Sequence, residues 1–537
     1  MQSWIFLNKL LILIAIFLWL RRFVFQTNTL LHIFQLEGYR NKRFARWLIK
    51  NPKRAFDSES FVSGAIIFFI GLFLESFNLR IIFLILWIGS GIWLFKRCKR
   101  KKQKKPFVWT ARAKRLIVFS ILIPLIPLSV IAFFTSSLFL LYFLILQIFI
   151  QIAGINLILT NIFLFPIEKG FNLFYLIKAR NKMKKLMPMV IGITGSYGKT
   201  SVKHIIGHIL SKKYKTLITK ESYNTLMGVC KVINNELKDE EVFVVEMGAY
   251  KRGDIRKLCK LVRPKIGVLT GIGIQHLERF KTIENIKKAK FEIILSLPPS
   301  GIAIVNNDDE VCKGLMNEVK IKKVGYRMSL ESGVRSLESE GIIMAEDVEM
   351  DVSGIKFRVG ETMFQTGLLG RHNVSNILAG IAVAKELGIE IKKIKEAIEE
   401  LSFIPHRLQL IRNPNNVFVL DDSYNSNPVG VDEALSCLSL FKGRKILVTP
   451  GMIELGIKEY EENKKFGKKA ADVCDIVILV GEKRTKPIFD GLMEKRFQEK
   501  NIIIVHSLEM AQKELEKIIK PGDCILFEND LPDTYEE

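Results

Sequence analysis

The sequence predicts an α-helical membrane domain followed by α/β domains, and three observations predict it. Residues 1–166 hold five apolar runs edged by Lys and Arg. After Pro188 the texture changes to short β-rich runs alternating with helical patterns, the signature of a parallel sheet covered by helices. Near residue 405 that pattern resets into a second series of buried strands. The expected organisation is a multi-span membrane domain over 1–166, a basic juxtamembrane linker over 167–187, and α/β domains over 188–404 and 405–537.

Composition fits two unlike parts. The chain has 537 residues, 49% hydrophobic and 25% charged, with a net charge of +25 and a mean hydropathy of +0.20. Much of the positive excess lies beside apolar segments, as in "KRCKRKKQKK" at 96–105. That placement suits membrane topology and anionic headgroups, and it argues against a nucleic-acid partner. The seven cysteines, at 98, 230, 259, 312, 437, 474 and 524, form no C-x-x-C pair, so reduced and buried thiols are expected.

The apolar runs cover 4–20, 61–74, 81–95, 116–134 and 138–165. A spanning helix needs about 20 residues, so the second and third runs are short and read as a tight or re-entrant hairpin. The first run is followed by Arg21 and Arg22 and not by a small-residue cleavage site, so no cleaved signal peptide is expected. The loops 21–54, 96–115 and 167–186 are rich in Lys and Arg, whereas the turns 75–80 and 135–137 carry only Arg80. Positive charge inside places the amino terminus outside and everything after 166 in the cytoplasm, with a multi-pass cytoplasmic-membrane location. Three spans instead of five give the same orientation. Residues 36–54 mix aromatic and basic side chains at helical spacing and read as an interfacial helix on the inner leaflet.

The stretch "VIGITGSYGKTSVKHIIGHIL" at 190–210 is a buried strand, a glycine-bearing turn and a helix. Backbone amides in such a turn converge on phosphate oxygens, helped by the helix N-terminus. Lys199 reaches β/γ-phosphates and the Thr200 hydroxyl ligates Mg²⁺ in this motif. The strict phosphate-loop pattern has glycine where this chain has Ile193. "EVFVVEMGAY" is a further buried strand ending in Glu246, a carboxylate placed to hold Mg²⁺ beside the loop. His276 follows another strand, and Lys290 falls among apolar neighbours on an amphipathic helix, where spacing alone favours a snorkelling surface lysine. Residues 321–366 read as antiparallel hairpins inserted beside the parallel sheet. The strands "VFVLDD", "KILVTP", "DIVILVG", "NIIIVH" and "DCILFE" then form a Rossmann-like domain without a dinucleotide fingerprint. The fold class is thus an α-helical membrane domain, a P-loop-type ATPase domain and a C-terminal Rossmann-like domain.

These motifs, in order over about residues 188–460, resemble the Mur ligases, the ATP-dependent amide ligases of peptidoglycan precursor assembly. The resemblance is carried by "TGSYGKTS" (194–201), "VVEMGA" (244–249), "QHLERF" (275–280), "KAKFEI" (288–293) and "NNDD" (306–309). It continues through "LLGRHNVSNILAGIAVA" (368–384), "PHRLQLI" (405–411), "DDSYNSNP" (421–428) and "PGMIELG" (450–456). "DDSYNSNP" with "MIELG" is most similar to the branch that adds D-alanyl-D-alanine to a muramoyl-tripeptide.

The resemblance implies ATP and two Mg²⁺ ions, with Gly195, Ser196, Gly198, Lys199, Thr200 and Ser201 around the phosphates. It implies Thr200 and Glu246 on one ion, His276 on the second, and Lys290 as a carbamylated, carboxylate-like metal ligand. Lys199, His276 and Lys290 form the implied catalytic set. Asn373 and Asn376 are implied at the adenine, and Arg407, Asp421 and Tyr424 as nucleotide contacts from the closing domain. Asn224, Asn425 and Asn427 are implied at the substrates, a muramoyl-peptide precursor and D-alanyl-D-alanine or a similar amine. The expected chemistry is attack of a substrate carboxylate on the γ-phosphate, then attack of the amine on the acyl phosphate.

The chain departs from the family pattern in four places. No soluble UDP-sugar domain precedes the phosphate loop, and a membrane region with a lipid bilayer as partner stands there. Gly271 replaces the usual asparagine and His406 the usual glycine, and "ILFENDLPDTY" (525–535) replaces a lysine- and glycine-rich finish. Two rival readings are an amide ligase for another acceptor, such as a lipid-linked precursor, a folyl-polyglutamate or a polymer, and a non-catalytic ATP-binding scaffold.

Overall fold

The structure, a computed structural model, describes residues 2–73, 77–97, 107–134, 139–220, 223–274, 277–329, 341–413, 415–424 and 426–530. The chain forms two compact units, one up to residue 171 and one over 172–530. The first is helical: α1 (Gln2–Leu36), α2 (Asn41–Lys50), α3 (Pro52–Ala55), α4 (Ser58–Phe73), α5 (Phe77–Lys96), α6 (Ala111–Phe134), α7 (Phe139–Gln151) and the start of α8 (Ala153–Leu186). Its core is aromatic, with Phe143 edge-on to Trp87 at 5.0 Å and to Trp19 at 5.5 Å.

Three expectations change here. The run 138–165 breaks between α7 and α8, and α8 passes Pro166 and runs through the expected linker to Leu186. Lys and Arg are good helix formers, and one proline bends a helix without having to end it. The expected loop from 21 is also helix. Arg22 lies inside α1, 8% exposed, with Nε 2.5 Å and Nη2 2.7 Å from the two carboxylate oxygens of Asp57. A buried partner lets the arginine's charge sit inside the unit, and arginine does not interrupt the helix. The segment 36–54 holds the end of α1 and two short helices, α2 and α3, and not one helix. Phe44 is fully buried, stacked on Phe34 at 4.6 Å, so this face packs into the unit's own core.

Among the described residues two helices are long and apolar enough to cross a membrane, over Leu10–Leu36 and Ala153–Leu186; apolar helices over Ser58–Ile70 and Ile82–Lys96 are shorter. The turn at 135–137 and the residues Glu75 and Ser76 lie outside the described residues.

The second unit holds two sheets. The first is built from β1 (Met189–Thr194), α9 (Lys199–Ser211), β2 (Thr216–Ile218), α10 (Leu226–Asn235), β3 (Val242–Glu246), α11 (Asp254–Val262) and β4 (Ile266–Leu269). It continues with α12 (Leu277–Phe280), α13 (Ile283–Leu295), β5 (Ile302–Asn306), α14 (Glu310–Met316), β6 (Lys322–Met328), β7 (Ile342–Asp351), β8 (Gly354–Val359), β9 (Thr362–Thr366), α15 (His372–Glu386) and α16 (Ile391–Glu399). The strand order among the described residues is β2-β3-β1-β4-β5-β6-β7-β8-β9. Pairing is parallel as far as β7 and antiparallel from β7 to β9, so the expected hairpin insertion extends the parallel sheet. α9 and α15 cover one face through Val202, Ile206, Ile377 and Ile381; α10, α11 and α13 cover the other through Val232, Leu258 and Ile293. The end of α8 packs on that second side through Ala179 and Met183, and Lys182 donates to the Asn234 carbonyl at 3.2 Å.

The second sheet comprises β10 (Gln409–Asn413), β11 (Val417–Asp422), α17 (Pro428–Ser439), β12 (Lys445–Thr449), α18 (Glu459–Val473), β13 (Ile476–Val480), α19 (Glu482–Glu494), β14 (Ile502–Val505), α20 (Leu508–Ile518) and β15 (Cys524–Glu528). Its order is β10-β11-β15-β12-β13-β14, parallel except for the edge strand β10. All five strands expected from the sequence are present. The six described cysteines are buried and free, and Cys98 lies outside the described residues.

Candidate active site

The loop between β1 and α9 is shaped by its glycines. Gly198 has φ +77, the left-handed region that costs other residues energy, and a Cβ there would lie 2.8 Å from Asn376 Oδ1. A Cβ on Gly195 would come within 2.0 Å of Thr270 Oγ1. The position that departs from the strict pattern, Ile193, is fully buried in the strand core. Gly195 therefore supplies the close approach two residues later. Lys199 Nζ donates to the carbonyls of Gly195 at 2.7 Å and Ser196 at 3.2 Å, and Ser201 is buried in the first turn of α9.

Glu246 closes β3 directly beside β1 and is 2% exposed. Its carboxylate accepts from Thr200 Oγ1 at 3.1 Å and from Asn224 Nδ2 at 3.0 Å. It also meets Lys203 Nζ at 3.2 Å, a side chain with no solvent exposure. Burial alone would push Glu246 up, but Lys203, Lys199 and the Asn224 hydrogen bond outweigh it and hold the carboxyl below its ordinary value. Lys199 is lowered to about 8 by burial first, with Arg407 adding to the effect and Glu246 opposing it.

Lys290 is 3% exposed on α13, on the stripe with Ile286, Ala289 and Ile293, so it is not a surface lysine. Burial, then the charge of Lys199, drives its amine well below the usual lysine value, against Glu246 and Asp254. Lys199, Glu246 and Lys290 thus share one electrostatic site. His276 and Asn425 lie outside the described residues.

α15 brings Asn373 and Asn376 beneath the loop, both buried. Asn373 Nδ2 donates to the Leu369 carbonyl at 2.7 Å, and Asn376 Nδ2 to Asn373 Oδ1 at 3.0 Å. From the second sheet, Arg407 stacks on the exposed ring of Tyr424 at 4.3 Å, and its buried Nε has no hydrogen-bond partner. Asp421 is tied to His406 Nδ1 at 2.7 Å and to Ser423 Oγ at 2.6 Å. His406 has φ +59, which explains the glycine expected there; the bond to Asp421 offsets part of that strain. Asn427 caps α17, its Oδ1 accepting from the Gly430 amide at 3.1 Å.

Residues that sequence reasoning missed are Lys203, Asp254 and the pair Asp422–Glu528. Lys203 was detectable as a lysine on the apolar face of α9, among Val202, Ile206 and Leu210. Asp422 and Glu528 are partners across the parallel pair β11–β15, and Ser426 Oγ donates to Glu528 at 2.5 Å. Burial first holds both carboxyls above their ordinary values, with the charge of Asp422 adding at Glu528 and that of Asp421 adding at Asp422.

The donor set fits a magnesium nucleotide. A hydroxyl and a carboxylate at hydrogen-bond distance, an adjoining lysine and an orphaned guanidinium nitrogen are what a metal-bound triphosphate needs. Comparison with known proteins agrees. The Mur ligase middle domain matches residues 193–384, and the Mur ligase glutamate ligase domain matches 406–528. The UDP-N-acetylmuramoyl-tripeptide–D-alanyl-D-alanine ligase of Escherichia coli is 30% identical over 340 residues, 62% of this chain and 74% of the relative. The Bacillus subtilis protein of that name is 29% identical over 358 residues, 65% of this chain and 74% of its own. Among solved structures, MurF from Acinetobacter baumannii superposes with a TM-score of 0.60 at 25% identity, covering 68% of this chain and 78% of that one. MurF from Thermotoga maritima in complex with ADP gives 0.58 at 27% identity, covering 67% and 80%. With both domains matched in order across the sheets that carry Lys199, Glu246, Lys290 and Arg407, this chain belongs to the Mur ligase family.

Proposed function

We propose that this chain is a membrane-anchored, ATP-dependent peptide ligase that joins D-alanyl-D-alanine, or a similar amine, to a muramoyl-tripeptide through an acyl phosphate. The observation that carries the reading is the grouping of Lys199, Thr200, Glu246 and Lys290 below one glycine loop, with Arg407 of the second sheet within their field. Thr200 and Glu246 would hold Mg²⁺, which when bound neutralises phosphate charge and polarises the γ-phosphoryl group. Lys199 takes the phosphate oxygens, and Arg407 adds a second cation from the closing domain. The substrate carboxylate attacks the γ-phosphorus, ADP leaves, and the amine then displaces phosphate from the acyl carbon. Closure of the second sheet's domain keeps water from the acyl phosphate. CO₂ adds to the neutral form of an amine, and burial, then the charge of Lys199, shifts Lys290 toward that form, so Lys290 is read as a carbamate ligand for a second ion.

The helical unit is read as the membrane anchor. Its outer surface is apolar where a soluble bundle would be polar. Leu13 and Phe17 of α1 and Leu159, Ile162, Phe163 and Phe165 of α8 are all more than half exposed. The 34 residues of α8 extend about 51 Å, well beyond a bilayer core of about 30 Å. With Lys and Arg inside, the two α/β domains face the cytoplasm.

The test is phosphate release by the full chain in detergent, given Mg-ATP, D-alanyl-D-alanine and UDP-linked or lipid-linked muramoyl-tripeptides. Release with one acyl donor, abolished by Lys199→Ala, is the expected result. No release with any donor, or full turnover by Lys199→Ala, overturns the ligase reading. A C-terminal reporter found outside the cell overturns the orientation.

A further inference from the structure

Tyr197, at the crest of the phosphate loop, has no role in the chemistry above, yet its side chain is anchored within the protein. Its hydroxyl donates to Asp309 Oδ2 at 2.5 Å. The same Asp309 oxygen accepts from the Ile272 amide at 2.8 Å, while Oδ1 caps α14 through the Cys312 amide at 2.9 Å. The Tyr197 carbonyl accepts from Thr270 Oγ1 at 2.5 Å. Ser196, beside it, donates its amide to the Gly271 carbonyl at 2.7 Å and its hydroxyl to the Gly273 carbonyl at 3.1 Å. Asn306 Nδ2 holds the Thr270 carbonyl at 2.9 Å. Seven hydrogen bonds thus lock the loop crest, segment 270–273, Asn306 and the start of α14 into one network.

The ring needs space that only glycine leaves. A Cβ on Gly271 would stand 2.4 Å from both Cε2 and Cζ of Tyr197, and one on Gly273 would stand 3.1 Å from Cε1. Gly271 has an ordinary backbone conformation, because it is absent from the positive-φ glycines, so its small size answers to the ring and not to the turn. Burial first, then the charge of Asp309, keeps the phenol neutral and therefore a donor.

We infer that Tyr197 is a positioning residue for the nucleotide: its phenol braces the phosphate loop against Asp309 across Gly271, presetting the amides at 195–200 for the phosphates. The brace rests on the reading of this loop as the ATP site. A preset loop loses less backbone freedom when the phosphates bind, so weakening the brace raises the dissociation constant without touching a reacting atom. It also couples the loop to 270–274, the segment that leads to His276.

The experiment measures binding of the magnesium complex of adenylyl imidodiphosphate to the full chain in detergent by calorimetry, with melting temperature followed in parallel. Tyr197→Phe, which deletes one oxygen, is expected to weaken binding about fivefold, the scale of one hydrogen bond, with a melting temperature within about 2 °C. KM for ATP rises to match, while kcat changes less than about twofold. Gly271→Ala is expected to weaken binding at least about tenfold when Tyr197 is present and less than about twofold in a Tyr197→Ser background. Equal binding by Tyr197→Phe and the unchanged chain overturns the brace, and so does an equal cost of Gly271→Ala in both backgrounds. If Gly271→Ala does not fold, Tyr197→Phe alone decides. An unchanged chain that fails to bind the nucleotide overturns the ATP reading instead, which separates the two failures.

Discussion

Replacing Lys203 by methionine tests whether the Glu246 carboxylate depends on a buried cation. Lys203 has no exposed surface, and its Nζ lies 3.2 Å from Glu246 Oε2, itself almost fully buried. At an effective dielectric constant of about 20, two unit charges at that distance attract by about 5 kcal/mol, an upper bound on what is lost. Removing one partner of a buried pair costs about 3–5 kcal/mol, because the other charge stays buried without it. Glu246 keeps the Asn224 and Thr200 hydrogen bonds and the field of Lys199, which places the expected cost near the lower end, about 3 kcal/mol. For a domain of this size that lowers the melting temperature by about 6–12 °C. The paired variant Lys203→Met/Glu246→Gln, which buries no isolated charge, should recover most of the loss. The pH profile supplies a second check. The folded carboxyl of Glu246 lies below its ordinary 4.5, so the pair's stability is fully present above that value and is lost as pH falls through the depressed one. The gap between the unchanged chain and Lys203→Met should therefore narrow in acid. A single variant within about 1 kcal/mol of the unchanged chain at pH 7, or a double variant as weak as the single, refutes the argument.

Two other perturbations follow from the same electrostatics. Lys199, with its amine lowered to about 8, loses its proton near that pH in the nucleotide-free protein, so the dissociation constant for ATP should climb above pH 8; calorimetry at pH 7 to 9.5 reads it, and Lys199→Arg should flatten the rise. Glu528, held above 4.5 by burial and by Asp422, binds a proton in the folded state that the unfolded state releases, so its burden grows as pH rises from 4.5. Glu528→Gln should raise the melting temperature at pH 8, by a free energy of about 1–3 kcal/mol, and leave it unchanged at pH 4.

What the sequence disclosed follows the physics that acts locally. β1, β3, β12 and β13 are runs rich in Val and Ile and buried beyond at most their first residue, and such runs are legible without tertiary knowledge because their neighbours are other strands of the same kind. The phosphate loop was legible because its glycines answer to local backbone geometry. Strand β10 went unread: it is a short edge strand whose Arg412 and Asn413 are exposed, so only pairing with β11 defines it. Arg22 was misjudged because its partner Asp57 is 35 residues away, and nothing nearby in the sequence shows that its charge is neutralised. Lys290 was weighed as a surface residue because a lysine on an amphipathic helix usually snorkels; here it occupies the buried stripe of α13. In each case the missing information was tertiary: the strand, carboxylate or core that the residue meets.

Those partners give the site a consistent logic. Lys199, Lys203, Lys290 and Arg407 gather around a single carboxylate, Glu246, with Asp254 acting on Lys290 from further off. Cations brought together in a low-dielectric site repel, and this repulsion adds to burial, the larger cause, in lowering the amines of Lys199 and Lys290. A triphosphate relieves it directly, so part of the attraction for the nucleotide is built in when the chain folds. Lys203 is committed to Glu246, and Lys199 and Arg407 are committed to the phosphates under the proposed mechanism. That leaves Lys290 with no part in holding Glu246 or the phosphates. Conversion of its neutral amine to a carbamate would release one proton and add one negative charge to the site. The second ion of the proposed mechanism would then have a ligand in Lys290.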